Sequence, residues 1–298
     1  MSRILLTGAT GFIGHHVLTR LRDAGHEVHA VTTKERPQGW DRVTWHQADL
    51  LRSAEIMSDV VPEVLLHLAW YVEPGRYWTA PENIRWVEAS LALLRAFAGA
   101  SGRRAVVAGT SAEYDWHAVG RRCHEQRTPL RPATLYGAAK HALHAAAAPY
   151  AEQAGFELAW GRIFFVYGPR EPQGRLVPSV GRALLAGKPV PTTRGNQVRD
   201  FMHVEDAAAA FAALADSNTT GAVNIASGDP VTVRDVIDTL AQLVGRPDLP
   251  RRGALPDREG DPPRLVADVS RLREEVGFAP RIALHEGLAG TLEWLRAN

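Results

Sequence analysis

Short apolar runs alternate with longer stretches of helical periodicity along the first two-thirds of the chain. Nearly continuous apolar strands separated by amphipathic helices are typical of a parallel sheet that is covered on both faces. The pattern therefore predicts an α/β fold with a doubly wound parallel sheet of the nucleotide-binding type. The predicted strands cover residues 3–7, 27–32, 43–47, 64–67, 104–108 and 158–164, and the main helices between them cover 15–24, 81–98 and 132–154.

The pattern changes after about residue 165, where turn-rich stretches separate shorter predicted helices at about 175–186, 205–216, 232–244 and 283–297. Such a segment is typical of a smaller lobe whose loops determine substrate specificity. We therefore expect a dinucleotide-binding domain over residues 1–165 and a mainly substrate-binding lobe over 166–298. Segments near 203–227 are expected to return to the sheet.

Composition limits the classes of partner. The 298 residues include 34 Lys and Arg against 33 Asp and Glu, so the net charge of +1 gives no bulk attraction to nucleic acid. Cys123 is the single cysteine, which excludes an internal disulfide and makes a cysteine-based metal site unexpected. The sequence starts directly in a strand-and-turn pattern rather than a signal peptide, and it contains no run of 18 apolar residues. We expect a cytoplasmic protein without a bound metal, a membrane anchor or a nucleic-acid partner.

The run TGATGFIG places Gly8, Gly11 and Gly14 between the first strand and the first helix. Glycines there allow a tight turn and a close approach of the backbone to a pyrophosphate, and the helix N-terminus adds free amide donors. The spacing GxxGxxG differs from the commoner GxGxxG, and a plain strand–helix connection is the alternative interpretation. Because the run opens a βαβ unit, it predicts a dinucleotide site that includes Phe12 and Ile13.

The end of the second strand indicates which dinucleotide is bound. An acidic residue at this position favours NAD, because it accepts hydrogen bonds from the adenosine ribose. The sequence instead reads HAVTTKER, with Thr32, Thr33, Lys34 and Arg36. Two hydroxyls and two cations suit a 2′-phosphate, so NADP(H) is favoured, with NAD(H) as the alternative cofactor. A solvated basic turn is the other interpretation.

Tyr136 and Lys140 are four residues apart in a helical stretch, so their side chains share one helical face. A nearby ammonium stabilises tyrosinate, and it is expected to lower the pKa of the tyrosine toward neutrality. Thr110 follows a buried apolar strand, 26 residues before the tyrosine. Together with the glycine turn, these residues predict an acid–base site rather than a solvated helix face.

With these motifs, the sequence resembles the extended short-chain dehydrogenase/reductase family, in its nucleotide-sugar epimerase, dehydratase and reductase branch. The resemblance covers essentially the whole chain, from TGATGFIG through the YxxxK of Tyr136 and Lys140 to three later stretches at 162–170, 199–208 and 257–272. It implies a Rossmann fold, a nucleotide-sugar substrate and a homodimer that forms through the two long helices of the first domain.

The resemblance also implies roles for individual residues. Tyr136 would exchange a proton at the sugar oxygen, Thr110 would bond the same oxygen, and Lys140 would hold the nicotinamide ribose. The family often has asparagine where Phe165 stands, and Arg199 and Arg258 would bind the substrate diphosphate, with a structural salt bridge as the alternative for each arginine. Further cofactor contacts are implied at Asp49, Leu50, Leu68, Ala69 and Trp70, and further substrate contacts at Ser111 and Phe165.

Ala112 departs from the family pattern. Dehydratases of the family carry an acidic residue one or two positions after the catalytic threonine, whereas this chain has Ser111 and Ala112. Neither side chain can act as a carboxylate acid or base, so elimination of water is disfavoured. The favoured interpretation is an NADPH-dependent reductase of a nucleoside-diphosphate keto sugar, most of all a 4-keto-6-deoxyhexose of deoxysugar biosynthesis. An NAD-dependent nucleotide-sugar 4-epimerase is the alternative, and a non-catalytic dinucleotide sensor is the third hypothesis.

Overall fold

The computed structural model describes residues 1–118, 120–257 and 259–298. Its strands are β1 (Arg3–Thr7), β2 (Glu27–Thr32), β3 (Val43–Gln47), β4 (Val64–His67), β5 (Arg104–Thr110), β6 (Glu157–Ile163), β7 (Phe165–Tyr167), β8 (Val190–Thr192), β9 (Val198–His203), β10 (Gly221–Ile225), β11 (Pro230–Thr232), β12 (Pro250–Arg252) and β13 (Arg264–Leu265). Its helices are α1 (Phe12–Asp23), α2 (Ile56–Val60), α3 (Glu82–Gly99), α4 (Leu135–Ala154), α5 (Leu176–Leu185), α6 (Val204–Asp216), α7 (Val233–Val244), α8 (Ser270–Glu274) and α9 (Leu284–Ala297). A 3₁₀ turn at Ser111–Glu113 follows β5 directly.

Seven of these strands form one parallel sheet, in the order β10-β6-β5-β4-β1-β2-β3. The predicted doubly wound α/β fold is therefore confirmed. From β1 the chain first adds β2 and β3 on one side, and then β4, β5 and β6 on the other. Ligands of such sheets bind at the carboxyl ends of the strands, in the crevice where the order reverses. Here that crevice lies between β1 and β4.

Helices cover both faces of this sheet because alternate side chains of each strand point to opposite faces. Ile4 and Leu6 are fully buried on the face covered by α1 and α6, which pack against each other. Leu5 is fully buried on the other face, beneath α3 and α4. The sheet is thus the middle layer between two apolar cores.

The smaller lobe has a core of its own, formed by α5, α7 and α9 together with side chains of β7, β8 and β9. In this lobe β9 pairs with β7, β11 and β13, and β8 pairs with β12. Strand β10 belongs to the large sheet, where it pairs with β6. The chain therefore crosses between the two parts more than once.

Two element boundaries differ from the sequence prediction at points that matter for the site. Strand β5 continues to Thr110, two residues beyond the predicted end, because Gly109 allows close pairing with β6. A Cβ atom at Gly109 would lie 2.1 Å from Nε1 of Trp160. Helix α1 begins at Phe12 rather than at 15, because the glycine turn is closed before Phe12 and Gly14 is already helical.

Candidate active site

The glycine turn closes the crevice between β1 and β4. Gly8 follows β1 with a φ of +73°, and a Cβ atom there would lie 2.8 Å from the amide nitrogen of Ala69 and from the carbonyl carbon of Leu68. A Cβ atom at Gly14 would lie 2.0 Å from the Gly8 carbonyl oxygen. Gly11 is the N-cap of α1, and among the described residues no side chain caps this terminus. Free amide donors at a helix N-terminus fit the pyrophosphate of a dinucleotide.

The residues predicted to recognise the adenosine end lie beside this turn, after β2. Thr32 is buried, and its hydroxyl accepts a hydrogen bond from the Lys34 amide at 3.1 Å, so it is engaged within the turn. Thr33, Lys34 and Arg36 are exposed. Neither cation forms an ion pair with any residue that the structure describes, which leaves both of them free to meet an anion.

Asp49 and Leu50 stand just after β3, on the same carboxyl edge. The Asp49 carboxylate accepts a hydrogen bond from the Leu51 amide at 3.1 Å and pairs with Arg52 at 3.2 Å. Leu50 is buried. Leu68 and Ala69 follow β4, where the Ala69 amide donates to the Thr7 hydroxyl at 3.2 Å. The sheet thus brings the predicted cofactor residues to one edge.

The structure brings Thr110 and Tyr136 together. The Thr110 side chain lies beside the Tyr136 phenol and favours its ionised form, and the Thr110 hydroxyl accepts a hydrogen bond from the Ala112 amide at 3.2 Å. This contact depends on Gly137, because a Cβ atom there would lie 2.3 Å from the Ala112 carbonyl oxygen. The first turn of α4 can therefore rest directly on the 3₁₀ turn, which sets the phenol beside the threonine.

The expectation that Lys140 lowers the pKa of Tyr136 is wrong in this structure. Burial raises the pKa of Tyr136 to about 12, while the hydrogen bond with Thr110 and the charge of Arg175 oppose that rise. Lys140 is also buried, and its ammonium donates to the Ala108 carbonyl oxygen at 2.7 Å. Burial lowers the pKa of Lys140 to about 7. In the free protein both groups are therefore shifted toward their neutral forms.

Glu113 is a structural residue of the site, and its side-chain partners could not be predicted from the sequence. Its carboxylate is fully buried and accepts hydrogen bonds from the Thr110 amide and from Nε1 of Trp160, each at 2.9 Å. Its other oxygen pairs with Nε of Arg162 at 3.0 Å. With both oxygens engaged, Glu113 braces the strand end and does not face a substrate. The sequence did carry a signal for the contact between Glu113 and the Thr110 backbone, because Thr110 and Glu113 form a capping box of the S/T-x-x-E type.

An aromatic wall, made of Tyr77, Trp78 and Trp116, surrounds the predicted catalytic tyrosine. The rings of Tyr77 and Trp78 meet the Tyr136 ring edge-on, with centroids 4.9 and 5.8 Å away. The Tyr136 amide donates to the Trp78 carbonyl oxygen at 3.1 Å, and Trp116 packs edge-on against Trp78 at 6.1 Å. The wall therefore orients the phenol as well as burying it.

Glu171 and Arg175, which the sequence analysis missed, lie on the loop after β7. Burial raises the pKa of Glu171 to about 8, although the charge of Arg175 opposes that shift. Oε2 of Glu171 is buried and has no hydrogen-bond partner among the described residues. The loop lies against the segment after β4, since a Cβ atom at Gly174 would be 3.1 Å from the Pro74 side chain. The charge of Arg175 acts on the Tyr136 phenol, so Arg175 is a cation near the tyrosine.

The predicted substrate residues are only partly brought together. Arg199 is buried, donates to Asp261 at 2.5 Å, and lies 5.5 Å above the centre of the Phe165 ring. The structural salt bridge weighed for Arg199 therefore exists. Ser111 is buried in the 3₁₀ turn next to Thr110. Arg258 lies outside the described residues.

One cluster of possible metal ligands lies elsewhere, where His124, Glu125 and Asp268 bring ligand atoms within 4.8 Å of one another. The Gln126 amide donates to Nδ1 of His124 at 3.2 Å. The neutral ring must then carry its proton on Nε2, which removes the lone pair that a metal ion would need. Among the described residues, no helix is long and apolar enough to cross a membrane.

Comparison with known proteins identifies the family. The chain matches the model of the NAD dependent epimerase/dehydratase family over residues 4–226. It belongs to this family. The predicted membership of the extended short-chain dehydrogenase/reductase family is confirmed, and so is the prediction of an NAD(P)-dependent oxidoreductase-type enzyme. The predicted nicotinamide dinucleotide agrees with the family description, whereas the preference for NADP(H) gains no support from it.

Individual relatives are similar along their whole length. A probable UDP-glucuronate 4-epimerase of Rhizobium meliloti is 29% identical over 99% of this chain and 97% of its own. A UDP-glucose 4-epimerase of Mycolicibacterium smegmatis is 30% identical over 99% of this chain and 98% of its own. Among solved structures, MoeE5 in complex with UDP-glucuronic acid and NAD is 33% identical, with a TM-score of 0.87 and 99% of both chains covered.

Proposed function

We propose that this enzyme is an NAD-dependent nucleotide-sugar 4-epimerase that acts on a UDP-hexose or UDP-hexuronic acid. The observation that carries the proposal is the pairing of the Thr110 and Tyr136 side chains at the carboxyl edge of the sheet, in a site without a free carboxylate next to the threonine. The similarity to 4-epimerases of UDP-sugars supports the same conclusion. The reductase interpretation favoured by the sequence has less support, and so has a deoxysugar substrate.

Inversion at one sugar carbon requires that a hydroxyl lose and regain its proton while the carbon loses and regains a hydride. NAD, when bound, supplies the reversible hydride acceptor. Tyr136 exchanges the proton at the sugar oxygen, and Thr110 holds that oxygen in line with the phenol. Because burial keeps the phenol protonated, nearby positive charge must favour its ionised form, and Arg175 is the cation whose charge lowers the Tyr136 pKa.

Elimination of water would need a further acid–base group next to the threonine. Ala112 has none, and the carboxylate of Glu113 is fixed by Arg162, Trp160 and the Thr110 amide. A dehydratase activity is therefore not part of the proposal. The chain belongs to an enzyme family and keeps all three predicted catalytic residues, which argues against a non-catalytic dinucleotide sensor.

NADPH-dependent reduction of a keto sugar is the second candidate function. Its support is specific: Lys34 and Arg36 are exposed after β2 without an ion-pair partner in the described part of the chain. Two such cations would suit the 2′-phosphate of NADPH. In this candidate Tyr136 protonates the oxygen of a ketone once, and Thr110 orients that oxygen.

The experiment identifies the cofactor and the reaction together. To identify the cofactor, the purified protein is denatured and the nucleotide that it releases is separated by chromatography. To identify the reaction, the enzyme is incubated with UDP-glucuronic acid or with UDP-glucose, and the sugar products are followed by proton NMR. Formation of a 4-epimer without added cofactor, lost in Tyr136→Phe, is the expected result. Consumption of NADPH with a 4-keto-6-deoxyhexose, together with no epimer, would replace the proposal with the reductase.

A homodimer formed through α3 and α4 is part of the proposal. The two helices pack against each other. On α4 the solvent-facing side carries small residues, Ala142, Ala145, Ala146 and Ala148, which permit close approach of a second copy. The cytoplasmic location predicted from the sequence stays a prediction.

A further inference from the structure

Lys140 is a buried cation without a carboxylate partner. The chain contains three lysines, Lys34, Lys140 and Lys188, and the other two are exposed. Lys140 is 2% exposed and forms no ion pair with any described residue. A buried ammonium in that situation loses its hydration without the usual compensation. Some other group must supply that compensation if Lys140 is to carry its charge.

The indole of Trp70 meets this ammonium face-on. Nζ of Lys140 lies 3.7 Å from the centre of the Trp70 ring, well within the range of a cation–π interaction. Tryptophan is the strongest aromatic partner for a cation, and the attraction is largest where water is excluded. Trp70 is itself 9% exposed, so the contact is desolvated on both sides.

The indole is fixed in this position by its other contacts. Its Nε1 donates to Oδ1 of Asn83 at 2.8 Å. The Asn83 amide nitrogen donates in turn to the carbonyl oxygens of Tyr77 and Ala80, at 2.7 and 2.9 Å. The ring of Trp86 stacks on the far part of the indole with centroids 6.0 Å apart. Trp70 therefore presents a rigid π face to the lysine.

The remaining titratable groups around Lys140 do not replace this contact. His67, on β4, is hydrogen-bonded to Thr7 and Ser90, and burial lowers its pKa to about 3, so it is neutral. Glu113, after β5, raises the pKa of Lys140 from a distance, but its own contacts are with Arg162, Trp160 and the Thr110 amide.

Two further elements contribute uncharged groups near this contact. Tyr136, one turn earlier on α4, is uncharged because burial raises its pKa. On α3, Ser90 bonds to His67 and Trp86 stacks on Trp70, and neither side chain carries a charge.

We propose that Trp70 is a positioning residue of the proposed reaction: its indole face favours the charged form of Lys140 against the effect of burial and holds the ammonium on the Ala108 carbonyl oxygen, at the end of β5 that carries Thr110. The inference rests on the proposed function only where it concerns turnover. Its physical part, the charge state of Lys140, is independent of the substrate.

The first test is a titration that needs no activity. Protein labelled with carbon-13 at the lysine ε-carbons gives three signals, of which the two exposed lysines serve as internal references. In Trp70→Leu the titration midpoint of Lys140 should move down by about one pH unit, roughly a tenfold loss of proton affinity. Trp70→Phe, which keeps a π face, should lie between the wild type and the leucine variant.

Trp86→Leu is the matched control, because it removes an equally large ring from the same cluster without touching the lysine. If it moves the Lys140 midpoint as far as Trp70→Leu does, general loosening explains the shift and the proposal is wrong. An unchanged midpoint in Trp70→Leu overturns it as well. Should Trp70→Leu fail to fold, a multiply fluorinated tryptophan placed at residue 70 keeps the shape and weakens the π face. The fluorinated tryptophan must then shift the titration midpoint of Lys140 to lower pH.

The second test is the pH profile of kcat/KM for the UDP-sugar that is turned over. The limb that reports deprotonation of Lys140 should move to lower pH in Trp70→Leu, by the same amount as the NMR midpoint. If the NMR midpoint of Lys140 shifts in Trp70→Leu but the pH profile of kcat/KM does not, Trp70 has no role in the reaction. Lack of epimerisation by the wild type, with the midpoint shift present, would overturn the proposed function and leave the Trp70 contact standing.

Discussion

At the scale of single residues, the carboxylate of Glu113 balances a charge that cannot reach water. Its partner Arg162 is 1% exposed, and the two are joined at 3.0 Å. Glu113→Gln should lower the free energy of unfolding by about 3–5 kcal/mol, because it leaves a buried guanidinium uncompensated. It should also lower turnover, since the Thr110 amide loses a charged acceptor. Urea unfolding monitored by circular dichroism measures the first effect.

Two further variants test whether the buried ion pair of Glu113 and Arg162 contributes more to stability than an exposed ion pair does. Glu63→Gln removes the partner of Arg103, an ion pair in which both side chains are exposed, and it should cost less than about 1 kcal/mol. Adding Arg162→Met to Glu113→Gln should recover part of the loss, because both buried charges are then gone. Equal losses of unfolding free energy in Glu113→Gln and Glu63→Gln would contradict the interpretation that burial makes the Glu113 carboxylate important for stability.

Glu171 makes stability depend on pH. Burial raises its pKa from 4.5 to about 8, so the folded protein holds a proton that the unfolded chain releases above about pH 4.5. The stability that this proton contributes is present below pH 4.5 and is lost as the pH rises toward 8. Relative to Glu171→Gln, which has no such proton, the wild type should lose roughly 3–4 kcal/mol of unfolding free energy between pH 5 and 8.

The measurement compares urea unfolding of the wild type and Glu171→Gln at several pH values, so that the contributions of all other groups cancel. Glu88→Gln, which changes an exposed carboxylate on α3, is the matched control. If the difference in unfolding free energy between wild type and Glu171→Gln stays constant from pH 5 to 8, the Glu171 carboxyl is solvated in the folded protein and the prediction is wrong.

At the scale of elements, the catalytic pair depends on how closely α4 approaches the 3₁₀ turn. Gly137→Ala would place a methyl group 2.3 Å from the Ala112 carbonyl oxygen, so the first turn of α4 must move. A displacement of about 1 Å can cost roughly 100-fold in rate, and we expect a loss of kcat of that order. Steady-state kinetics of epimerisation with the UDP-sugar substrate measure this loss of kcat.

Gly290→Ala is the control for the same substitution in another helix. Gly290 lies inside α9, and no described atom lies within 4 Å of the position that an added methyl group would take. Alanine should therefore stabilise the protein by about 0.5–1 kcal/mol and leave the rate unchanged. Full activity of Gly137→Ala would mean that the phenol is held by the aromatic wall alone.

The sequence predicts the large elements well, because their apolar periodicity reflects which face is buried. The first four strands agree with the structure residue for residue, and the glycine turn lies where expected. Short elements such as β8, β12 and α8 were not predicted, since three to five residues carry no clear period and depend on their neighbours.

The candidate site was predicted as a set of residues rather than as an arrangement. Thr110 and Tyr136 do meet, but the consequences of burial for the pKa of Tyr136 and Lys140 could not be read from spacing in the helix. The same holds for Arg199, whose contact with Asp261 joins residues 62 positions apart in sequence. Such contacts exist only in the folded chain, because they join residues that are distant in sequence.

At the scale of the whole molecule, the helix that carries Tyr136 and Lys140 also has the face proposed for dimerisation. Ala145 lies exposed on α4, beside other alanines. In a homodimer through α3 and α4, Ala145→Glu would bury an unpaired carboxylate between the two copies, which is costly. We expect the wild type to have twice the 32.5 kDa mass of one chain and Ala145→Glu to have that of a single chain.

Light scattering coupled to size-exclusion chromatography measures both masses at the same protein concentration. Ala297→Glu, at the exposed end of α9, introduces the same charge far from the proposed interface in sequence and should leave the dimer intact. Loss of the dimer in both variants would indicate a general effect of charge. A wild type of single-chain mass would rule out the dimer, while the pairing of Thr110 with Tyr136 inside one chain would still allow each copy to act alone.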